Sequence, residues 1–314
     1  MKKLRVVVFL LILVILLSVT SFIFMPKQEV YNIVTTKEML TSLSKEEEDT
    51  IDVAFFGDSE CFAAYSPLQM YAEHGYTSYI CATAAQRLCD TYAIMDEMFK
   101  SQSPKLVVLE ANCFFRYGGT EKDEDDELFN ALAKTFPIFK YHSRWKTVLQ
   151  ALMRSKYQTE DNYKGFLLRT KIKPYKNGEY MIPTDKLAKM PEENEGYIDK
   201  ILDLCEENGA EVIVVSSPSP KNWTYEKHNT TVDLANRKGL DYIDYNLLWE
   251  ELGINWKTDT KDYGDHVNLN GATKLTGEFG NYLSEHYDLP NHINDEAYAE
   301  WTELSLIYMK KYMD

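Results

Sequence analysis

Two short stretches, far apart in the chain, carry residue types that could do nucleophilic chemistry. Near the beginning, Phe55-Phe56-Gly57-Asp58-Ser59-Glu60 ends an apolar run, and places a serine after a glycine that permits a tight turn. Near the end, Asp262-Tyr263-Gly264-Asp265-His266-Val267-Asn268 puts a histidine among carboxylates just before a helical stretch. Such a histidine suits a general base: Asp262 or Asp265 would hold its Nδ1 proton, leaving Nε2 to accept the proton of Ser59. The bland alternatives are a turn or helix cap at Asp58-Ser59 and a polar loop capped by Asn268.

The elements that would position these residues follow from hydrophobic patterning. Residues 51–56, 77–82, 105–111, 211–216 and 240–244 read as strands, rich in Val, Ile, Phe and Tyr. Residues 86–100, 193–208, 230–238 and 271–286 show helical spacing, with Asn208-Gly209 as a helix stop. Strands alternating with helices imply an α/β fold with a parallel sheet and right-handed crossovers. In such a sheet ligands sit beyond the carboxyl ends of the strands, where the winding reverses. The interval 115–190 breaks the rhythm and reads as a mostly helical insertion, with helices expected near 126–134 and 145–156.

Residues 6–25 form an apolar run long enough to cross a bilayer core, preceded by Lys2, Lys3 and Arg5. The reading is a retained anchor with the N-terminus cytoplasmic, rather than a cleaved signal, whose apolar region would be shorter. Residues 1–25 would be cytoplasmic tip and anchor, 26–50 a stalk, 51–290 the α/β domain outside the membrane, and 291–314 a helical tail. The 314 residues carry a formal net charge of −15, or −18 once the three leading basic residues are set aside. That acidity excludes a general nucleic-acid backbone binder. Five widely spaced cysteines without a Cys-x-x-Cys pair suggest neither a disulfide framework nor a zinc ribbon. No metal or other cofactor is expected.

Taken together, Gly57-Asp58-Ser59 and His266-Val267-Asn268 resemble the SGNH (GDSL-type) hydrolase superfamily over about residues 51–290. The resemblance implies a three-layer flavodoxin-like parallel sheet, with Ser59 as nucleophile, His266 as base and an aspartate as the third member. It also implies an oxyanion hole built from the Ser59 amide and Asn112. Several positions depart from the pattern. Glu60 stands where the signature has leucine, and Thr83-Ala84-Ala85 has no glycine to act as an oxyanion donor. The family's Asp-x-x-His spacing falls on Tyr263, with Asp262 and Asp265 straddling it.

A narrower likeness rests on Gln86, Tyr141 to Trp145, Pro218-Ser219-Pro220 with Trp223, and Ile243 to Asn246. These resemble membrane-anchored envelope proteins of bacteria similar to the D-alanyl-lipoteichoic acid transfer protein and the alginate acetylation proteins. It implies transfer or removal of acyl groups on a cell-envelope glycan or teichoic acid, beside a membrane-bound O-acyltransferase. The alternative is a non-catalytic accessory or scaffold for such an enzyme. Asp58, Gln86 and Asn268 join the binding candidates on this view. His142 and Trp145, in the basic stretch Lys140 to Lys146, would contact an anionic polymer or start a helix packed on the sheet rim, and Trp223 would stack on a sugar or simply pack.

Overall fold

The computed structural model describes residues 2–24, 36–116 and 163–313, with residues 135, 136 and 138. Five strands form one parallel sheet: β1 Val53–Gly57, β2 Ser78–Ala82, β3 Leu106–Glu110, β4 Glu211–Ser216 and β5 Asp241–Asp244. Their order is β2-β1-β3-β4-β5, the flavodoxin-like winding with its reversal between β1 and β3. In register, Gly57 pairs with Ala82, Glu110 with Val215 and Ser216 with Asp244, so the carboxyl ends form one edge.

Alternation along the strands gives the sheet two apolar faces. Val53, Phe55, Ile80 and Val108 face one core, closed by α3 Ser59–Ala64, α4 Pro67–His74, α8 Leu269–His286 and α9 Ala299–Tyr312. Ala54, Phe56, Cys81 and Leu109 face the other, closed by α2 Thr36–Leu43, α5 Leu88–Met98, α6 Glu192–Glu207 and α7 Tyr225–Lys238. All five cysteines are free, and four are buried.

Two segment assignments change. Residues 36–50 are not a stalk: Met39 and Leu43 of α2 are buried with Ile51 in the second core. Glu46 forms an ion pair with the buried Lys164 at 2.7 Å. The C-terminal stretch is helical, and Trp301 and Tyr308 of α9 lie in the first core, Trp301 beside Tyr71. Within the expected helical insertion, residues 163–190 run as an irregular strap without helix. The helices expected near 126–134 and 145–156 lie outside the described residues.

The described part of the first apolar run is one helix, α1 Lys2–Phe24, with a 21-residue span (Lys3–Ile23) that contains an 18-residue window of mean hydropathy 3.2. It is long and apolar enough to cross a membrane, and a signal sequence has the same properties.

Candidate active site

Every candidate residue among the described ones lies on a segment leaving, or facing, the carboxyl edge. After β1, Asp58 caps α3 by accepting the Glu60 amide at 2.9 Å, which makes Ser59 the first helical residue. Its amide is one of the first-turn N–H groups without an intrahelical partner, suited to an oxyanion. Gly57 is required here, because a Cβ would stand 2.6 Å from the Cβ of Glu110 on the neighbouring strand.

The histidine loop is closed by its own backbone. Thr260 and Val267 form an antiparallel bridge, and the Thr260 hydroxyl accepts from the Gly264 amide at 2.9 Å and reaches the His266 carbonyl at 2.9 Å. Tyr263 and Gly264 both take left-handed conformations, φ 67° and 86°. That tight turn brings Asp262, four residues before His266, to the place the Asp-x-x-His spacing gives to Tyr263. Asp262 accepts the His266 amide through Oδ1 and pairs with Nδ1 through Oδ2, each at 2.8 Å. Asp265 Oδ1 stands 3.7 Å from the same nitrogen. Geometry therefore selects Asp262 as the residue that orients His266. Burial opposes its charge, but the bonds from His266 and the nearby Lys261 outweigh burial and hold its carboxyl below the ordinary range.

His266 Nε2 is buried and has no partner among the described residues. A ring nitrogen of His266 and carboxylate oxygens of Glu60 and Asp265 lie within 4.8 Å of one another, so the loop meets the first turn of α3. No hydrogen bond joins Ser59 to His266 here; a nucleophile–base bond often tightens only when substrate binds. The trio has a spacing that a metal ion could bridge. Its carboxylates already accept protein donors: Asn222 Nδ2 reaches Glu60 at 2.5 Å and Asp265 at 2.6 Å, and Lys221 reaches Asp265 at 2.6 Å.

Beneath Ser59 lies a buried acidic group that sequence reading missed. Asp58, Glu60 and Glu110 are all at most 2% exposed. Arg116 pairs with Asp58 Oδ2, which also accepts Asn112 Nδ2 at 2.9 Å. Lys227 Nζ donates to Asn112 Oδ1 at 3.0 Å and to the Asn222 carbonyl at 2.6 Å. Burial lowers the Lys227 ammonium from its ordinary value, against the pull of the carboxylates. Glu110 accepts the Asn112 and Ser217 amides, fixing the loops after β3 and β4. The one available signal was a glutamate closing the otherwise apolar Leu106-Val107-Val108-Leu109-Glu110.

Burial, then the neighbouring Asp58 charge, holds the Glu60 and Glu110 carboxyls well above the ordinary value of 4.5. Glu60 Oε1 accepts Asn222 Nδ2, and Ser219 Oγ, with one hydrogen to donate, lies 3.1 Å from it and 2.7 Å from the Asp265 carbonyl. Acids raised in the fold bind protons that the unfolded chain has released, so their contribution to stability falls as pH rises above the ordinary range. Asp262, depressed, contributes fully above 3.8 and does not oppose this at neutral pH. His74, lowered by burial, contributes in the opposite sense around its ordinary value of 6.5. Two raised acids against one lowered histidine leave the melting temperature expected to be higher at about pH 6 than at about pH 8, at constant ionic strength. Glu60→Gln should flatten the slope; an unchanged slope in that variant would remove Glu60 from the account.

Several binding candidates prove structural. Asp58 is fully buried, and its carboxylate is taken up by the cap, Arg116 and Asn112, so it positions Ser59 rather than meeting substrate. Gln86 is buried and holds its own loop through the Cys81 carbonyl and Thr91. In that loop Ala85 takes φ 55°, a left-handed turn made without glycine. Trp223 is no stacking platform: it is 2% exposed, its indole donates to Asp244 at 2.9 Å, and its ring meets Phe115 edge-on. Asn268 caps α8 and ties down the Lys171 and Thr258 carbonyls. Asn112 commits one amide hydrogen to Asp58, so only its second could reach an oxyanion. His142 and Trp145 lie outside the described residues.

A flavodoxin-like sheet thus presents, at one edge, a serine just past β1 and an aspartate-held histidine just before α8. No protein-family model matches the chain, and no curated protein matches it. Among solved structures it is similar to a GDSL-like lipase from Bacteroides thetaiotaomicron VPI-5482, at 12% identity and a TM-score of 0.41, covering 81% of this chain and 98% of that one. It is also similar to a protein assigned as an acylhydrolase from Bacteroides fragilis NCTC 9343, at 13% identity and a TM-score of 0.40, covering 79% and 96%. A third, from Streptococcus pneumonia and assigned as a platelet activating factor, has 12% identity and a TM-score of 0.42, covering 79% and 92%. At such identity the likeness is one of fold, and the chemistry is read from this chain's own side chains.

Proposed function

We propose that this chain is a membrane-anchored SGNH-type serine esterase or O-acyltransferase, acting outside the cytoplasmic membrane on acyl groups of a cell-envelope polymer. The observation that carries the reading is the His266 imidazole, held through Nδ1 by Asp262 with Nε2 unpartnered beside the turn that bears Ser59. In the reaction, Ser59 Oγ attacks the acyl carbonyl carbon as its proton passes to Nε2. The tetrahedral oxyanion is met by the Ser59 amide and the second amide hydrogen of Asn112. Collapse expels the alcohol, which takes the proton from His266, and leaves an acyl-serine. Water or a glycan hydroxyl then attacks the acyl carbon, returns a proton through His266 and restores Ser59. Water makes an esterase, the glycan hydroxyl a transferase.

The missing Ser59–His266 bond and the glycine-free loop after β2 favour the second reading, a non-catalytic partner of a membrane-bound O-acyltransferase. Labelling separates the two. The full chain in detergent is expected to take up one fluorophosphonate at Ser59, by intact mass and peptide mapping, and Ser59→Ala none. No adduct on the folded wild type, with a Ser59→Ala strain keeping normal envelope acylation, would favour the scaffold.

A further inference from the structure

Beside the histidine loop, the carboxyl edge carries a further cleft. It has a volume of about 760 Å³ and is open to solvent along one side. Four aromatic rings line it: Tyr175 and Tyr180 from the irregular strap, and Trp249 and Trp256 from the segment after β5. Trp256 is buried at the base, 8% exposed, with ring centroids 6.4, 6.0 and 6.0 Å from Tyr175, Tyr180 and Trp249, which leaves those three partly exposed rings as the ones a ligand would meet. Its indole N–H is buried with no partner among the described residues.

The cleft is joined to the candidate active site by direct contacts. The Tyr175 ring lies against Gly264, where a Cβ would stand 2.7 Å from its Cδ2, two residues before His266. Tyr180 reaches Asn246 Oδ1 at 3.3 Å; that oxygen accepts the amide of Ser219, whose hydroxyl reaches the Asp265 carbonyl. The strap itself pairs with the histidine loop, Tyr263 N donating to the Lys173 carbonyl and Tyr175 N to that of Trp256. A polymer lying in the cleft would thus run beside His266.

We infer that this cleft binds several residues of an uncharged glycan chain, as the subsite that holds the polymer whose acyl groups reach Ser59. The inference rests on the acyl-transfer reading for that purpose, though the binding itself does not. Aromatic faces carry negative quadrupole charge and match the C–H faces of pyranose rings, while their rigidity keeps the entropy cost of binding low. The size falls within the range of ligand clefts, about 300–1,000 Å³. Charge decides between polymers. Lys176 and Lys257 are balanced in the lining by Glu179 and Glu250, in a chain whose net charge is −15. A polyanion such as a teichoic acid would gain no net attraction there.

The test uses the full chain carrying Ser59→Ala in detergent, titrated by calorimetry with cello-, chito-, malto- and mannotetraose, and with poly(glycerol phosphate). At least one neutral tetrasaccharide should bind, and poly(glycerol phosphate) should bind more weakly. Trp249→Ala should weaken the neutral ligand about tenfold or more. Glu179→Lys with Glu250→Lys, both exposed, should create binding of poly(glycerol phosphate). Binding of none of the four tetrasaccharides, or stronger binding of the polyanion by the parent, would overturn the inference. Because Ser59→Ala removes catalysis, saccharide binding with no fluorophosphonate adduct on the wild type sinks only the enzyme reading. An adduct without saccharide binding sinks only the cleft.

Discussion

Asp262→Asn is expected to lower turnover of a simple ester by about 10⁴-fold, because it puts the imidazole in the wrong tautomer. Asp265→Asn should change it by less than about tenfold. Asp262 offers two acceptors, one to the His266 amide and one to Nδ1, both at 2.8 Å. An asparagine has one acceptor oxygen. If that oxygen keeps the backbone amide, its NH₂ faces Nδ1, which must then accept, and the ring proton moves to Nε2. The nitrogen that should take the Ser59 proton would already carry one. Asp265 has no such hold: it is 3.7 Å from Nδ1, and its oxygens serve Asn222 and Lys221. Turnover of p-nitrophenyl acetate by the two variants, with circular dichroism to establish folding, decides the matter. Equal losses, or a larger loss in Asp265→Asn, would reverse the assignment.

The family spacing alone could not have chosen between the two aspartates, since it fell on Tyr263. What decided it was backbone conformation: two successive left-handed residues shorten the path from Asp262 to His266. Such a conformation is predictable at Gly264, where glycine favours it, but not at a tyrosine. The sheet was legible to within two residues at every strand end, because residues buried on both faces give near-continuous apolar runs. The short helices α3 and α4 were not read, having too few turns for periodicity. Trp223 shows the limit for single side chains. Composition can say that a tryptophan follows a proline-rich turn, but not that its ring will be buried with its N–H on Asp244. The rings that do line a cleft, Trp249 and Trp256, are brought to Tyr175 and Tyr180 by a strap about 70 residues away in sequence, so no local pattern marks them.

The ion pair beneath Ser59 carries the second large effect. Asp58 is fully buried, and its Oδ2 is shared by Arg116 and Asn112. Arg116→Met leaves a buried carboxylate with neutral donors only, in contact range of two further acidic groups. Breaking a buried pair in this way costs about 3–5 kcal/mol. The Arg116 side chain is 30% exposed, so water replaces part of the lost interaction and about 2–3 kcal/mol is expected. Asp58→Asn on the same background removes the stranded charge and keeps a good N-cap for α3, since asparagine caps as well as aspartate. The double variant should therefore be more stable than Arg116→Met alone, by urea denaturation, even though it lacks both partners. That sign is the informative outcome. Additive losses would mean that the arginine acts through packing and not through charge. A recovery means that Arg116 is there to make the Asp58 carboxylate tolerable, and Asp58 to set the first turn of α3 from which Ser59 is presented.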